Sequence, residues 1–334
     1  MNFDFSDDQQ AIKRTASELL AERFKLEKVR ELAEDGRYDD EVWSELCELG
    51  WPGIFIDEAH GGQGLGVVEL IILMEELGYA LAPVPFVSNA AAGLVLQAAG
   101  SDEQRERWLP GIASGEARGT VAVMRERDGG DDAPLVPDAD SADVIVVLPC
   151  EGPPALVEAS AAEIEPVELI DATRSYARVS GDGEELAGET GMYRPMIALA
   201  AEMVGVAQRA LEMAVDYAKE REQFGRPIGA YQAVSHRCAD MLWEVEEARS
   251  LTLYAAWCAD AEPETLPDAA HMAKARASDS GWSVTSSALQ VLGGIGFTWE
   301  HDLQFLLKRA RLDGELLGSA RAHRDRVASF AGLS

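Results

Sequence analysis

Two glycine-containing segments in the last third of the sequence combine residue types that can bind a large anionic ligand with a flat ring. Residues 221–232 read as a helix end, a tight Gly/Pro turn and a new helix, with an arginine that can bind a diphosphate and an aromatic residue that can face a ring. Residues 290–298 contain Gly-Gly-Ile-Gly, whose backbone can approach a ligand closely and whose N–H groups can bind anionic oxygen. Either segment alone indicates little, because Gly-Gly-x-Gly often only ends a helix.

Hydrophobic periodicity predicts helices on both sides of a short β region that must position these segments. Apolar spacing and the N-capping residues Ser6 and Ser101 predict a helical bundle over about the first 115 residues. Short β-type runs follow at 119–123, 144–148, 155–157, 167–170 and 176–179. Residues 125–143 are predicted as a loop between the first two runs. Four long helices are predicted after them, at 195–220, 231–258, 268–292 and 301–330. The last of these is expected to break near Gly314.

Composition narrows the possible partners and compartment. The 334 residues carry 29 Lys+Arg and 59 Asp+Glu, a formal net charge of −30, so nucleic acid and anionic lipid are unfavourable partners. A hydrophobic fraction of 47% argues against wholesale disorder. The four cysteines form no CxxC pair, the acidic N-terminus does not resemble a signal peptide, and the apolar runs are too short to span a bilayer. These features predict a cytoplasmic protein with no membrane, nucleic-acid or metal site.

In this order, and on a helical–β–helical background, the two segments closely resemble those of the acyl-CoA dehydrogenase family. The resemblance covers nearly the whole chain, because residues 50–64 resemble the family's entry loop and residues 101–110 its helix before the β domain. It implies an α+β, mostly α fold with an N-terminal helical domain (1–117), a reduced middle β-sheet domain (118–190) and a C-terminal four-helix bundle (191–334).

The resemblance also implies a cofactor and a reaction. Members of the family hold FAD at a subunit interface and catalyse α,β-dehydrogenation of an acyl-CoA thioester, in which a carboxylate removes the α-proton and hydride passes to the flavin. Their Arg-x-x-Phe-Gly and Gln-x-x-Gly-Gly segments grip the ADP end of the neighbouring subunit's FAD. Carried over by position, the residues that would bind a partner's FAD are Arg221, Gln223, Phe224, Gln232, Gln290, Gly293 and Gly294.

The sequence departs from the family at the catalytic base. Aligning Gly318-Ser319 with the family's Gly-Thr places Leu317 where the usual glutamate stands, and the alternative base position, on the helix before residue 221, falls on Pro195. Glu315 is the nearest carboxylate candidate, but side chains two positions apart on a helix face different ways. The middle domain departs as well, because residues 122–130 lack the family's flavin-cradling loop pattern.

This pattern of losses resembles that of the shorter subunit of actinobacterial α2β2 acyl-CoA dehydrogenases that act on steroid side-chain thioesters. The residues for a neighbour's FAD are present, and those for the subunit's own flavin and base are missing. The resemblance implies a heterotetramer with a longer homologous subunit, a role in lipid and steroid degradation, and electron-transfer flavoprotein as the acceptor. Two alternatives stay open: a self-sufficient homo-oligomeric dehydrogenase using Glu315, and a non-catalytic binding or scaffold protein of the same fold.

The remaining candidates for chemistry have simpler interpretations. His301 stands at a predicted helix start, where a capping role is common, and His236 fits packing or a local hydrogen bond. His271 and His323 have no metal-spaced partners. The paired charges of Asp171 and Arg174 fall in a predicted β-turn, and a surface role is expected for them.

Overall fold

The computed structural model describes residues 4–36, 38–124, 134–149, 152–188 and 191–333. Their order of elements is helical, β and helical, which confirms the predicted fold class. The helices are α1 Asp7–Arg23, α2 Leu26–Asp35, α3 Asp40–Glu48, α4 Val67–Ala80, α5 Phe86–Ala99, α6 Asp102–Ser114, α7 Tyr193–Glu220, α8 Gln232–Ala261, α9 Leu266–Leu292, α10 Leu303–Asp313 and α11 Ala320–Phe330. The strands are β1 Gly119–Val123, β2 Leu135–Pro137, β3 Val144–Leu148, β4 Ala155–Glu158, β5 Glu163–Pro166, β6 Tyr176–Ser180, β7 Glu184–Glu185, β8 Glu222–Gln223 and β9 Arg226–Pro227.

The chain folds into two compact units. One takes in the residues up to Arg30, Ile71–Ala82 and the chain from Leu199 onward, and the other takes in Glu31–Leu70 and Pro83–Ala198. No helix in the described ranges is both long and apolar enough to cross a membrane.

Two helix starts follow directly from local sequence. The Ser6 hydroxyl accepts a hydrogen bond from the Gln9 backbone N–H, and the Gln9 side chain accepts one from the Ser6 N–H. Ser101 and Gln104 make the same reciprocal pair at the start of α6. Each pair satisfies two N–H groups that a helix start leaves unbonded, so the serine and the glutamine three residues later stabilise the boundary at these two positions.

Strands β1 to β7 form two small sheets in the second unit, in the orders β1-β3-β4-β7 and β2-β6-β5. Strand β1 runs parallel to β3, and the other pairs of these two sheets are antiparallel. The strand predicted at 167–170 is wrong: the strand is Glu163–Pro166, and its pairing with β6 ends where the Val167 N–H donates to the Tyr176 carbonyl. Residues 135–137, predicted as loop, pair with β6 instead. Both errors arise because strand pairing is set by distant partners as well as by local apolar runs.

A buried carboxylate organises polar groups of the second unit. Asp138 is 1% exposed and accepts hydrogen bonds from the hydroxyls of Tyr38 and Ser88. The Arg174 side chain forms an ion pair with it at 4.0 Å. Burial and the neighbouring Asp138 carboxylate raise the pKa of Tyr38, so this hydroxyl stays protonated as a donor. The surface role expected for Asp171 and Arg174 is wrong, because they are only 2% and 5% exposed: Asp171 accepts hydrogen bonds from the backbone N–H and hydroxyl of Thr173, and Arg174 pairs with Asp138.

In the first unit, α4 and α7 cross at backbone contact. A Cβ atom added to Gly205 would lie 1.9 Å from the carbonyl oxygen of Glu75, and one added to Gly78 would lie 2.1 Å from that of Glu202. Only glycine allows this approach at both positions. The Glu202 side chain is buried at the same crossing and receives a hydrogen bond of 2.9 Å from the Arg309 guanidinium of α10.

Candidate functional site

The segment from Arg221 to Gln232 folds as a short hairpin between α7 and α8. Strands β8 and β9 pair through Glu222 with Pro227 and Gln223 with Arg226, which leaves Phe224 and Gly225 as a two-residue loop. Their φ angles are +56° and +79°, and positive values at both loop residues are typical of a type I′ turn. Asn-Gly is the favoured pair in this turn, and a bulky residue at the first position is strained.

Phe224 gains little from the chain itself in return for this strain. Its side chain is 93% exposed, and its one ring contact within the described residues is with Tyr231, with 6.4 Å between centroids and nearly perpendicular planes. A bulky residue in the left-handed region carries a cost of about 1–2 kcal/mol, and such strain commonly marks a functional position. The hairpin therefore leaves an aromatic ring exposed to solvent, where another molecule can contact it.

The surroundings of Phe224 make the hairpin rigid. The Tyr231 hydroxyl donates to the Gln223 carbonyl at 3.1 Å, and the Arg226 guanidinium lies 4.1 Å from the centre of the Tyr231 ring. The Ile228 N–H donates to the Arg221 carbonyl at 2.8 Å, which closes the base of the hairpin. Within the described residues, the exposed Arg221 guanidinium has no hydrogen bond or ion pair, so it is available to an anion. Sequence analysis did not identify the supporting roles of Tyr231 and Arg226.

Phe224→Asn is expected to stabilise the isolated chain by about 1 kcal/mol, because asparagine tolerates a left-handed turn that strains phenylalanine. Urea denaturation of the two proteins measures the difference. Phe297→Asn is the matched control, since Phe297 is also exposed, at 75%, but lies outside the positive φ region. A lower stability for Phe224→Asn, or an equal gain in the control, would show that the turn is not strained.

The second glycine segment ends α9. Gly293 has φ +64° and ψ −134°, a combination essentially limited to glycine. Gly294 does not have positive φ, and a Cβ atom added to it would meet nothing within 4 Å. Neither backbone conformation nor packing requires glycine at 294, which leaves open space for close approach by another molecule. Gln290, one turn before, is exposed and its amide has no hydrogen bond within the described residues.

The packing of α8 against α9 brings the two segments to the same end of this helix pair. Ser280 and Ser283 of α9 donate to the carbonyl and the carboxylate of Glu244 on α8, at 2.8 and 3.0 Å. The helices are consecutive and antiparallel, so residues before 244 on α8 lie opposite residues after 283 on α9. Gln232, which begins α8, therefore falls close to Gly293 in register, and the hairpin directly precedes it.

The turn aligned with the family's catalytic base has a leucine at the base position. Helix α10 ends at Asp313, and Leu317 and Gly318 follow with φ +56° and +110°. Leu317 is thus, like Phe224 and Leu81, a bulky residue in the left-handed region, in a turn that the surrounding structure imposes. No proton can be accepted by its side chain. Pro195, at the alternative base position, is buried in the first turn of α7.

A buried lysine holds this turn. Lys274 is 0% exposed, and its ammonium group donates to the carbonyls of Asp313, Gly314 and Gly318 at 3.0, 3.4 and 3.3 Å. These bonds satisfy carbonyls that the end of α10 would otherwise leave unbonded. The role of Lys274 is not among those predicted from sequence, although a single lysine among alanines on a predominantly apolar helix is a signal for it.

The other candidate residues have local partners. Glu315 is half-exposed and accepts a hydrogen bond from the Arg311 guanidinium at 3.2 Å, one helical turn away. The Nδ1 atom of His301 accepts a hydrogen bond from the Leu303 N–H at the start of α10, which confirms its capping role. His236 is exposed on α8. Most of the departure from the family's flavin-cradling loop, residues 125–130, lies outside the described residues.

Comparisons with known proteins identify the family of the two helical parts of the chain. Residues 6–116 match the model of the acyl-CoA dehydrogenase N-terminal domain, and residues 181–332 match that of the C-terminal domain. Acyl-CoA dehydrogenase IpdE2 of Mycobacterium tuberculosis is 34% identical over 319 residues, which cover 94% of each chain.

Two solved structures share the fold over nearly the full length. One is a variant of the Tcur3481-Tcur3483 steroid ACAD, with a TM-score of 0.86 and 30% identity, covering 98% of each chain. The other is the ChsE4-ChsE5 complex from Mycobacterium tuberculosis, with a TM-score of 0.89 and 25% identity, covering 100% of each chain. The matched domains, the retained hairpin and the Gly-Gly segment lead to one conclusion: the chain belongs to the acyl-CoA dehydrogenase family.

Proposed function

We propose that this chain is one subunit of a heteromeric, FAD-dependent acyl-CoA dehydrogenase and that it grips FAD seated mainly in a longer homologous partner. The partner would supply the catalytic base and the cradle for the flavin ring. The complex would introduce an α,β double bond into an acyl-CoA thioester and pass electrons to electron-transfer flavoprotein. The three domains predicted from sequence, 1–117, 118–190 and 191–334, belong to this proposal.

The proposal rests on the contrast between the predicted cofactor-binding residues and the predicted position of the catalytic base. Phe224 is exposed and strained, and Arg221 has no side-chain partner within the described residues, so a ring and a cation are open to a ligand, whereas Leu317 stands at the predicted base position. A self-sufficient enzyme needs both parts. A binding half without a base is what a subunit of a divided enzyme requires.

The residues present fit the diphosphate and ADP end of FAD. Arg221 would bind the diphosphate through charge-assisted hydrogen bonds, and Phe224 would pack against a flat ring. Gln223, Gln232 and Gln290 would hydrogen-bond polar groups of the cofactor, and Gly293 and Gly294 would let the backbone approach it. When bound, FAD supplies the hydride acceptor for the reaction. This chain's contribution is to hold and orient that cofactor.

The substrate proposed is a bulky acyl-CoA, such as a steroid side-chain thioester. The similarity to a steroid ACAD supports this class. The sheets of the middle domain are small, with strands of two to five residues, which is consistent with room for a polycyclic acyl group in the complex. A structure of the complex with a narrow, closed cleft would contradict the steroid assignment while leaving the heteromeric proposal intact.

Glu315→Gln tests the rival in which this chain supplies its own base. In the complex with its partner, the variant is expected to keep acyl-CoA-dependent dye reduction within about twofold of wild type, because the carboxylate is paired with Arg311 at the surface. A general base contributes about 10²–10⁴-fold, so the rival predicts a loss of that size. Such a loss, with FAD content and assembly unchanged, would establish Glu315 as the base and overturn the proposal.

A further inference from the structure

A second polar cluster lies on α9, apart from the predicted FAD-binding residues. His271 and His323 are buried, at 9% and 3% exposure, and their Nδ1 atoms are 2.8 Å apart. His323 belongs to α11 and His271 to α9, so this hydrogen bond joins the two helices. A hydrogen bond between two imidazole nitrogens needs one N–H donor and one lone pair. One of the two Nδ1 atoms must therefore be unprotonated and accept the bond.

The same face of α9 also holds the turn before α11. Lys274 lies one helical turn after His271 and binds the carbonyls of Asp313, Gly314 and Gly318. A Cβ atom added to Gly318 would lie 2.8 Å from the Nε2 atom of His323, so the turn and the histidine are in direct contact. Side chains of α9 thus bond residues 313, 314, 318 and 323 of this stretch.

We propose that the His271–His323 pair is a proton-sensitive latch that holds α11 and the preceding turn against α9 at neutral pH and releases them in acid. A proton added to the accepting Nδ1 removes the hydrogen bond that joins the helices. A proton added to an outer nitrogen keeps that bond but creates an imidazolium beside the buried Lys274 ammonium. Both routes disfavour the closed arrangement, and the latch does not depend on the proposed catalytic function.

The charges around the pair favour its neutral form. Burial, followed by the fields of Lys274 and His271, lowers the pKa of His323 to about 4, against a smaller opposing effect of backbone hydrogen bonds with Gly318 and Leu317. Burial and the Arg326 guanidinium of α11 lower the pKa of His271, against a smaller opposing effect of Asp268 on α9. Two further charged groups, Asp279 on α9 and Arg324 on α11, form an ion pair between the same helices.

The sign of the pH dependence follows from these shifts. A histidine whose folded pKa is depressed contributes its full stability above the unfolded pKa of about 6.5 and loses that contribution as pH falls toward the folded value. For His323, with a folded pKa of about 4, opening of the latch is expected to become about 20-fold more favourable between pH 7 and pH 5.

Hydrogen–deuterium exchange of the full chain tests the latch directly. After correction for intrinsic exchange rates, amides of residues 314–330 are expected to lose about 20-fold protection between pH 7 and pH 5. In His323→Phe, which keeps a ring on α11 but cannot titrate, this loss should shrink to the part that His271 contributes. His236→Asn, at an exposed histidine of α8, should behave as wild type. Equal protection at both pH values, or the same loss in His323→Phe, would overturn the proposal.

An NMR titration of the wild-type imidazoles keeps the proposal testable if His323→Phe fails to fold. His323 is expected to titrate below pH 5, with a hydrogen-bonded Nδ1 signal at neutral pH. Titration of His323 at pH 6 or above would overturn the proposal. A folded pKa close to the unfolded value of about 6.5 would make opening of the latch independent of pH.

Discussion

Replacement of Arg309 by methionine is expected to lower the free energy of unfolding by about 3–5 kcal/mol, the typical cost of leaving one member of a buried ion pair without its partner. The Arg309 and Glu202 side chains are 1% and 5% exposed, and their charged atoms are 2.9 Å apart. Without Arg309, the Glu202 carboxylate would stay buried at the crossing of α4 and α7. Urea denaturation followed by circular dichroism measures the change.

Two further variants separate this effect from loss of packing. Arg311→Met removes an arginine on the same helix whose side chain is 54% exposed, and its pair with Glu315 should contribute less than about 1 kcal/mol. Glu202→Met combined with Arg309→Met removes both charges and should recover most of the stability. If the single variant Arg309→Met is as stable as Arg311→Met, the buried pair does not stabilise this crossing.

Arg221→Ala is expected to weaken FAD binding by the complex about 10–100-fold, because a charge-assisted hydrogen bond contributes about 1.5–3 kcal/mol. The guanidinium is exposed and has no partner within the described residues, so its removal should leave the melting temperature of the isolated chain unchanged. FAD titration of the stripped complex, followed by flavin fluorescence, measures the affinity. This combination of lost affinity and unchanged stability is the signature of a ligand-binding residue.

A control for net charge is needed in a chain that is already strongly acidic. Arg324→Ala removes the same charge on α11, where the guanidinium is paired with Asp279, and should leave FAD affinity unchanged. Equal affinity of wild type and Arg221→Ala would contradict the assignment of Arg221 to the diphosphate. A comparable loss in both variants would indicate a general electrostatic effect instead of a local contact.

The sequence predicted most of the helical structure because helix boundaries depend on near neighbours. Ser6 and Ser101 each lie three residues before the glutamine that completes their cap, so the signal and the structure are equally local. Local apolar content predicts a strand at 167–170, but the strand lies at 163–166. Its position is set by pairing with β6, more than ten residues away, and not by near neighbours as in a helix cap. Asp171 and Arg174 were assigned to the surface for a related reason: their charges are satisfied by a buried turn that the sequence pattern does not reveal.

The candidate site shows a similar division between local and non-local information. The aligned motifs identified residues 221–232 and 290–294, but they did not reveal that Phe224 is strained or that no packing contact requires glycine at 294. The leucine at the predicted base position, 317, is visible in the sequence, whereas its left-handed backbone lies in a turn whose neighbouring carbonyls accept hydrogen bonds from Lys274, a residue more than forty positions away. Backbone strain depends on such distant contacts and therefore becomes visible only in the folded chain.

The central claim is that this chain binds FAD only together with a longer homologous subunit, and co-expression tests it most directly. The chain purified alone is expected to be colourless and unable to dehydrogenate acyl-CoA. Co-expressed with its partner, it should purify as an equimolar complex that absorbs as a flavoprotein and reduces a dye acceptor with acyl-CoA. A scaffold role would be indicated if the protein stayed colourless with every partner. A yellow chain that dehydrogenates acyl-CoA unaided would contradict the claim.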